Sequence, residues 1–172
     1  MRVVVGLRLG RGAVGRCGGD TGPMRRVEAD ALVGASRDEV WELLDDIAGI
    51  TRWLPGVRAI SSISGPAHVG TTWRERSATF GIPSARTWEI AEHRRPARQV
   101  RVAVDGGMAR DLVLTLEGRG TGTRLRAELE LRSAVPWPLG LVHEMLATFP
   151  ARWAVRSFVG AAKRVFEGTE RR

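Results

Sequence analysis

The sequence has little of what marks several common protein classes. Among its 172 residues there is one cysteine, Cys17, and there is no tyrosine. One cysteine excludes an internal disulfide, so a reduced, cytoplasmic setting is expected. No apolar run approaches the ~20 residues that a membrane-spanning helix needs. These absences favour a globular domain whose core depends on apolar packing.

Residues able to hold a metal ion or a phosphate group are also sparse. The three histidines, His68, His93 and His143, are scattered and form no metal-ligand spacing with the one cysteine. The glycines between residues 6 and 22 lack the strand and helix that surround a phosphate-binding loop. We therefore expect no metal and no cofactor.

The chain is basic, with a net charge of +8, and Lys163 is its only lysine. Basic chains often bind nucleic acid. Here, however, the arginines mostly alternate with acidic residues along predicted strands, and no basic cluster is interleaved with aromatics. We expect no nucleic-acid partner, and we expect a monomer or a weak homodimer.

Residues 1–23 are rich in glycine and arginine, a composition that resists regular structure. We interpret them as a disordered extension and Met24 as the natural start of the protein. A short strand at Val3–Val5, or a flexible tail with a role of its own, is the alternative. The structured domain is then expected over residues 24–168, followed by a tail at 169–172.

The most prominent pattern is a long helix near the C-terminus, predicted from Leu139 to Phe166. Apolar residues recur there at steps of three to five residues, as on one helix face. Pro150 predicts a kink or break near Thr148, and Gly168 is placed to end the helix. The helix is either a lid over an open apolar space or a core helix packed directly on a sheet.

Ahead of this helix, the pattern predicts one strand, two helices and six strands. The first strand is predicted at 25–34. Ser36 and Glu39 form a capping box for the helix that follows, and a short helix spans 49–53. Six strands at regular spacing indicate an antiparallel meander. We place them at 57–64, 71–79, 85–93, 99–105, 109–117 and 123–132.

Alternation along these strands predicts one dry and one wet face, with the C-terminal helix covering the dry one. On the strand at 99–105, the valines Val100, Val102 and Val104 share one face, and Arg101 is on the other. Gly81 and Pro83 are expected to form a turn, as is the pair Gly106-Gly107.

The strand at 71–79 breaks the pattern. If Trp73 points inward, Glu75 and Ser77 point inward with it, and a buried carboxylate is costly unless it is paired or hydrated. A cavity with water or a polar ligand group would relieve this cost. Alternatively, Glu75 pairs with an arginine such as Arg86, or the strand twists Glu75 towards solvent. His68 and His93 fall at predicted turns, where we expect them to be solvated.

Trp41 and Trp88 are assigned to packing, whereas Trp53, Trp73 and Trp153 are predicted to border the mouth of a cavity. Glu75 is the candidate catalytic residue. The candidate ligand-binding residues are Trp53, Trp73, Ser77, Arg110, Leu114, Met145, Phe149 and Trp153.

Several short motifs resemble the START-like, helix-grip superfamily, specifically its polyketide cyclase/dehydrase and lipid-transport branch (SRPBCC). They are the strand 27–33, the segment 35–44, the run Trp53-Leu54-Pro55-Gly56-Val57, the run 69–73 and the Arg95-Pro96 break. The resemblance implies an α+β helix-grip fold. In it, a curved antiparallel sheet of about seven strands wraps around a long C-terminal helix, and two short helices follow the first strand. It also implies a hydrophobic cavity and ligands such as lipids, polyketides or isoprenoids.

Three functions follow as hypotheses. The first is binding of a small hydrophobic ligand in an internal cavity, with Glu75, Ser77 and Arg110 orienting its polar end. The second is a cyclase or dehydratase that uses Glu75 as general acid or base. The third is transient membrane contact, or another interaction, through the basic end of the last helix. Its basic residues are Arg152, Arg156, Lys163 and Arg164, although a solvated helix face also explains them.

Overall fold

A computed structural model describes residues 24–105, 108–133 and 139–169; of residues 24, 108–109, 132–133, 139–148 and 169 only the backbone is described. The elements are β1 (Met24–Val33), α1 (Arg37–Asp45), α2 (Ile50–Trp53), β2 (Val57–Ser61), β3 (Thr72–Thr79), β4 (Ile82–Arg94), β5 (Arg98–Ala103), β6 (Met108–Arg119), β7 (Gly122–Ser133) and α3 (Leu139–Thr169). The predicted extension 1–23 and the Gly106-Gly107 turn lie outside the described residues.

The seven strands form one antiparallel sheet in the order β1-β7-β6-β5-β4-β3-β2. Strands β2 to β7 therefore form a meander, and β1 closes the order beside β7. Helix α3 packs against β1 and β7. The predicted α+β fold, a curved sheet around a long C-terminal helix with two short helices after the first strand, is confirmed.

Helix α1 begins where the capping box predicts. The Glu39 backbone N–H donates to the Ser36 hydroxyl at 3.3 Å, and the Ser36 backbone N–H donates to the Glu39 carboxylate at 2.8 Å. These bonds satisfy backbone donors that a helix start leaves open. The cap fixes the start of a helix that carries Leu44 and Asp45 to the interior side of the sheet.

The apolar interior consists of two groups of side chains. The larger joins α3 to α1, β1, β6 and β7; the smaller contains Ile47, Ile50, Trp73, Trp88 and Ile90 below β3 and β4. Partly buried Trp53, Leu54 and Leu112 pack against both groups. The interior between the two groups contains the cavity described below.

Helix α3 differs from its prediction in two ways. It is continuous through Pro150, so of the predicted kink or break near Thr148 the break is absent, and it extends past Gly168 to Thr169. An interior proline costs a helix about 3 kcal/mol. Burial of Ala151, Val155 and Phe158 against the sheet offsets that cost.

Strand β5 has the opposite orientation to the one predicted. Gln99 and Arg101 are buried, whereas Val104, just after the strand, is exposed. Arg101 pairs with buried Ile90 of β4 and so shares its inward face. The polar side chains are tolerated inside because α1 supplies them with partners, as described below.

The β3–β4 turn also differs from its prediction. The turn residues are Phe80 and Gly81, both with positive φ (52° and 81°), while Pro83 is already part of β4 and pairs with Ala78. Two positive φ values define the tight hairpin turn whose twist matches that of its strands.

Within the described residues, no helix is long and apolar enough to span a membrane.

Candidate functional site

A cavity lies between α3 and the sheet, roofed at one end by the α2–β2 loop. Its volume is about 180 Å³, many times the roughly 10–15 Å³ that a cavity needs to hold one water molecule. Its walls come from β3 to β7, from residues 54–57, and from one face of α3 between Pro150 and Phe158. The interior of the described part of the chain is therefore hollow beside Trp73 and Glu75.

The floor of the cavity carries four ionisable side chains from four adjacent strands. They are Glu75 on β3, Arg86 on β4, Arg101 on β5 and Arg110 on β6. Glu75 and Arg86 are directly opposite in the antiparallel register, so their side chains share one face of the sheet. The sheet thus presents one carboxylate and three guanidinium groups to an otherwise largely apolar space.

Arg101 is held rigidly, and it is only 3% exposed. Its Nε donates to Gln99 Oε1 at 2.6 Å, its Nη2 donates to the Leu44 carbonyl at 2.6 Å, and its guanidinium carbon lies 5.3 Å from the centre of the Trp73 ring. Burial lowers the pKa of Arg101 to about 10, against the opposing charges of Glu75 and Asp45. It remains charged at neutral pH and forms a fixed part of the wall.

A chain of hydrogen bonds extends from Arg101 towards α1. Gln99 Nε2 donates to Asp45 Oδ1 at 3.1 Å, and His93 Nε2 lies 2.9 Å from the same oxygen. The His93 ring also meets the edge of Trp41 at 5.1 Å. The expectation that His93 is solvated was wrong, because His93 lies within β4 and its ring packs against α1 instead of facing solvent at a turn.

Glu75 is the one carboxylate among the described residues that line the cavity. Burial raises its pKa, and the charges of Arg101 and Arg86 only partly oppose this effect. Neither arginine comes within 4 Å in an ion pair, so the alternative of a Glu75–Arg86 salt bridge is not realised in the described structure. The indole N–H of Trp88 favours the ionised form slightly, but its geometry falls short of a hydrogen bond.

Arg86 and Arg110 lack the partners that fix Arg101. Burial lowers the pKa of both, and for Arg110 the positive charge of Arg86 lowers it further, to about 10. The Nε atom of Arg110 is buried without a hydrogen-bond partner. A buried guanidinium nitrogen without an acceptor destabilises the cavity wall.

Of the nine predicted site residues, the cavity wall contains Glu75, Trp73, Ser77, Arg110 and Trp153. The hydroxyl of Ser77 lies 3.0 Å from that of Ser84 on β4. This hydroxyl–hydroxyl pair has no neighbouring base, and nothing in its geometry activates Ser77 as a nucleophile.

Three predicted residues lie elsewhere. Trp53 packs edge-on against Phe158, with ring centres 5.2 Å apart, and Leu114 is fully buried in the larger apolar group. Phe149 is 68% exposed and stacks on Phe80 at 5.5 Å. Met145 lies outside the described side chains.

Sequence reasoning missed Arg101 and Trp88 as wall residues and considered Arg86 only as a partner of Glu75. The register of a hairpin indicates Arg86, because it is opposite Glu75. No sequence signal indicates Arg101, since its burial depends on the Leu44 carbonyl, which comes from α1. In the described part of the chain, no group of three or more His, Cys, Asp or Glu side chains is placed to hold a metal ion.

The fold and the cavity define a class of protein, the helix-grip proteins that enclose a ligand space between a curved sheet and a C-terminal helix. Residues 24–167 match the model of the family described as polyketide cyclase / dehydrase and lipid transport. The chain therefore belongs to this family, as the motifs had indicated. No curated protein matches its sequence.

Solved structures share this fold at low identity. A protein from Thermus thermophilus is 18% identical, with a TM-score of 0.71 over 84% of this chain and 98% of that one. The Zhui aromatase/cyclase from a Streptomyces species is 17% identical, with a TM-score of 0.64 over 82% and 94%. Norcoclaurine synthase of Thalictrum flavum, solved with a transition-state analogue, is 14% identical, with a TM-score of 0.68 over 87% and 98%. At these identities the likeness concerns the fold alone.

Proposed function

We propose that the protein binds a small hydrophobic ligand, of lipid, polyketide or isoprenoid type, in the cavity between the sheet and α3. The observation that carries this proposal is the hollow itself, lined by Trp73, Trp153 and Val155 on its apolar sides and by charged groups on its floor. The single cysteine favours a cytoplasmic setting for this binding.

Apolar burial supplies the affinity. At about 25 cal/mol per Å² of apolar surface, a ligand that buries ~250 Å² gains ~6 kcal/mol before the cost of immobilisation. The cavity wall also gains van der Waals contacts when a ligand binds, because wall atoms that face empty space lack such contacts on that side. The polar floor is then left to orient one end of the ligand.

Binding is tested with the neutral fluorescent probe N-phenylnaphthylamine and with native mass spectrometry of the purified protein. Ala154 lines the cavity on α3, so Ala154→Phe is expected to fill the space and abolish probe binding while the protein stays folded. Arg156→Phe, at an exposed position of the same helix, is the matched control and is expected to bind normally. Equal probe binding by all three proteins would show that the probe does not occupy this cavity.

A second candidate is catalysis of cyclisation or dehydration, with Glu75 as general acid or base. The raised pKa of a buried carboxylate facing the cavity favours it, because a proton-transfer group works best with a pKa near the operating pH. A cavity that folds a flexible chain also brings its reacting carbons together.

The catalytic candidate is tested with a short linear triketone, whose aldol closure and loss of one water give an aromatic product that absorbs in the ultraviolet. Glu75→Gln is expected to abolish turnover and to leave binding of the neutral probe intact. Turnover unchanged in Glu75→Gln would remove Glu75 from the mechanism.

The basic end of α3 offers no comparable support for a membrane role. Arg156 and Arg164 are exposed, and Lys163 pairs with Glu167 at 3.3 Å. A solvated helix face accounts for this pattern.

A further inference from the structure

The charges on the cavity floor do not balance. Arg86, Arg101 and Arg110 bring three positive charges, and Glu75 brings at most one negative charge. In a partly apolar enclosure an excess of buried positive charge is costly, and water in the cavity relieves that cost only in part. The cavity is therefore electrostatically complementary to an anion.

Arg101 is not the side chain that would bind this anion. Its guanidinium already donates to Gln99 and to the Leu44 carbonyl, and it lies over the Trp73 ring. These contacts fix it in the wall and satisfy two of its nitrogens. The uncompensated charge thus belongs chiefly to Arg110, on which the charge of Arg86 acts, and in part to Arg86, on which the carboxylates of Glu75 and Asp105 also act.

Arg86 and Arg110 project from β4 and β6 into the same cavity. They are close enough for the charge of Arg86 to act on Arg110, and neither forms an ion pair within 4 Å in the described structure. The buried Nε of Arg110 has no acceptor. Two guanidinium groups that face one space, one of them with a nitrogen that has no acceptor, have the layout of an oxyanion site.

Glu75 is not the anion that compensates these two arginines. Its carboxylate forms no ion pair within 4 Å with Arg86 or Arg110 in the described structure. Burial raises its pKa even though the charges of Arg101 and Arg86 oppose that shift. A single carboxylate on β3 is also fixed to the wall, whereas an anion carried by a ligand can settle between the two guanidinium groups.

We propose that the ligand of this cavity is an amphipathic carboxylic acid whose carboxylate binds Arg86 and Arg110 while its apolar body lies against Trp153 and the inner face of α3. This inference rests on the proposed function, because the ligand must occupy the cavity. It goes further by assigning the chemical class of the ligand and the two side chains that select it.

The experiment compares two ligands of equal length, decanoic acid and decanol, as competitors of N-phenylnaphthylamine below their aggregation concentrations at neutral pH. The acid is expected to bind about tenfold or more tightly than the alcohol, as charge-assisted hydrogen bonds imply. Arg110→Gln and Arg86→Gln are each expected to remove most of this preference and to change decanol affinity less than about twofold.

Arg76→Gln is the matched control. Arg76 is on β3 between Glu75 and Ser77, but it is exposed on the opposite face of the sheet. It changes the net charge by the same amount, so it is expected to keep the preference for the acid. Should either cavity variant fail to fold, the comparison of acid with alcohol on the unaltered protein still decides the class of ligand.

The two proposals fail in different ways. If the probe binds and acid and alcohol compete equally, the carboxylate assignment is overturned and hydrophobic binding stands. If the acid is preferred but all three glutamine variants keep that preference, Arg86 and Arg110 are not its site. If the probe does not bind at all, the proposed function itself falls, and the inference with it.

Discussion

At the scale of residues, Glu75 makes stability depend on pH in an unusual direction. Burial raises its pKa above the ordinary value of a glutamate, so the folded state holds the proton more tightly than the unfolded state. Its contribution is therefore favourable at low pH and is lost as pH rises from the unfolded pKa through the folded pKa. This is the reverse of the usual effect of a salt-bridged carboxylate.

Replacement of Glu75 by glutamine keeps the shape and removes this titration. We expect Glu75→Gln to be more stable than the native protein at neutral pH and equally stable near pH ~4, because the protonated acid resembles the amide. Urea unfolding across this pH range measures the difference. Glu117→Gln, at an exposed β6 position, is the control for the loss of one surface carboxylate. A stability difference for Glu75→Gln that does not vary with pH would contradict the buried-carboxylate interpretation.

Gly56, in the wall of the cavity, occupies a position where only glycine fits without strain. Its φ is +91°, and an added Cβ would lie 2.9 Å from the carbonyl oxygen of Ala78. Gly56→Ala is expected to cost about 1–3 kcal/mol in urea unfolding, from both the backbone conformation and the close contact. Gly65→Ala, with open space around it, is expected to change stability by less than about 0.5 kcal/mol. Equal effects of the two substitutions would exclude this account.

Single residues also show where sequence reasoning reaches its limit. The inward set Trp73, Glu75 and Ser77 was predictable, because alternation along one strand needs no knowledge of any other element. Arg101 was not, because hydrophobicity alone favoured the valine face of β5. Its burial depends on the Leu44 carbonyl and on Gln99 and Asp45. The contact between α1 and β5 joins residues far apart in the sequence, so no local pattern predicts it.

At the scale of elements, α3 contains a proline that its packing tolerates. Pro150→Ala restores a backbone N–H and removes the ring from the preceding turn, so we expect stability to rise by up to about 3 kcal/mol. Pro66→Ala, outside any helix, is the control and is expected to give no gain. Urea unfolding compares the two. A loss of stability in Pro150→Ala would mean that the helix is shaped around the proline and that its cavity wall depends on that shape.

Elements with local signals were predicted well. The capping box located the start of α1, and strand alternation located β6 and β7 to within two residues of the observed bounds. The β3–β4 turn was misplaced because Phe80 occupies a positive-φ position that asparagine or glycine usually fills. The rings of Phe149 and Trp153 lie 5.5 and 5.2 Å from that of Phe80, so Phe80 packs against α3, a tertiary contact that turn propensity does not take into account.

At the scale of the whole molecule, the order of elements was enough to predict the architecture. A strand, two helices, six strands and a long helix have few ways to bury one sheet face, and the C-terminal helix is the available cover. The cavity was only partly predictable, because its volume depends on how α3 sits over five strands. Leu114 and Trp53 illustrate this: both face the interior, yet they pack in the larger apolar group and are not part of the cavity wall.

Because the cavity lies between the two apolar groups, its occupant should stabilise the entire fold. A probe that binds only the folded state adds RT ln(1 + [L]/Kd), or about 2.7 kcal/mol at one hundred times Kd. We expect the melting temperature to rise steadily with N-phenylnaphthylamine concentration, without a plateau at one equivalent. Ala154→Phe should already be near its maximum stability and should show no rise, because its ring takes the space that the probe would fill. A parallel rise in Ala154→Phe would place the probe outside the cavity and would separate the hollow from the stability of the molecule.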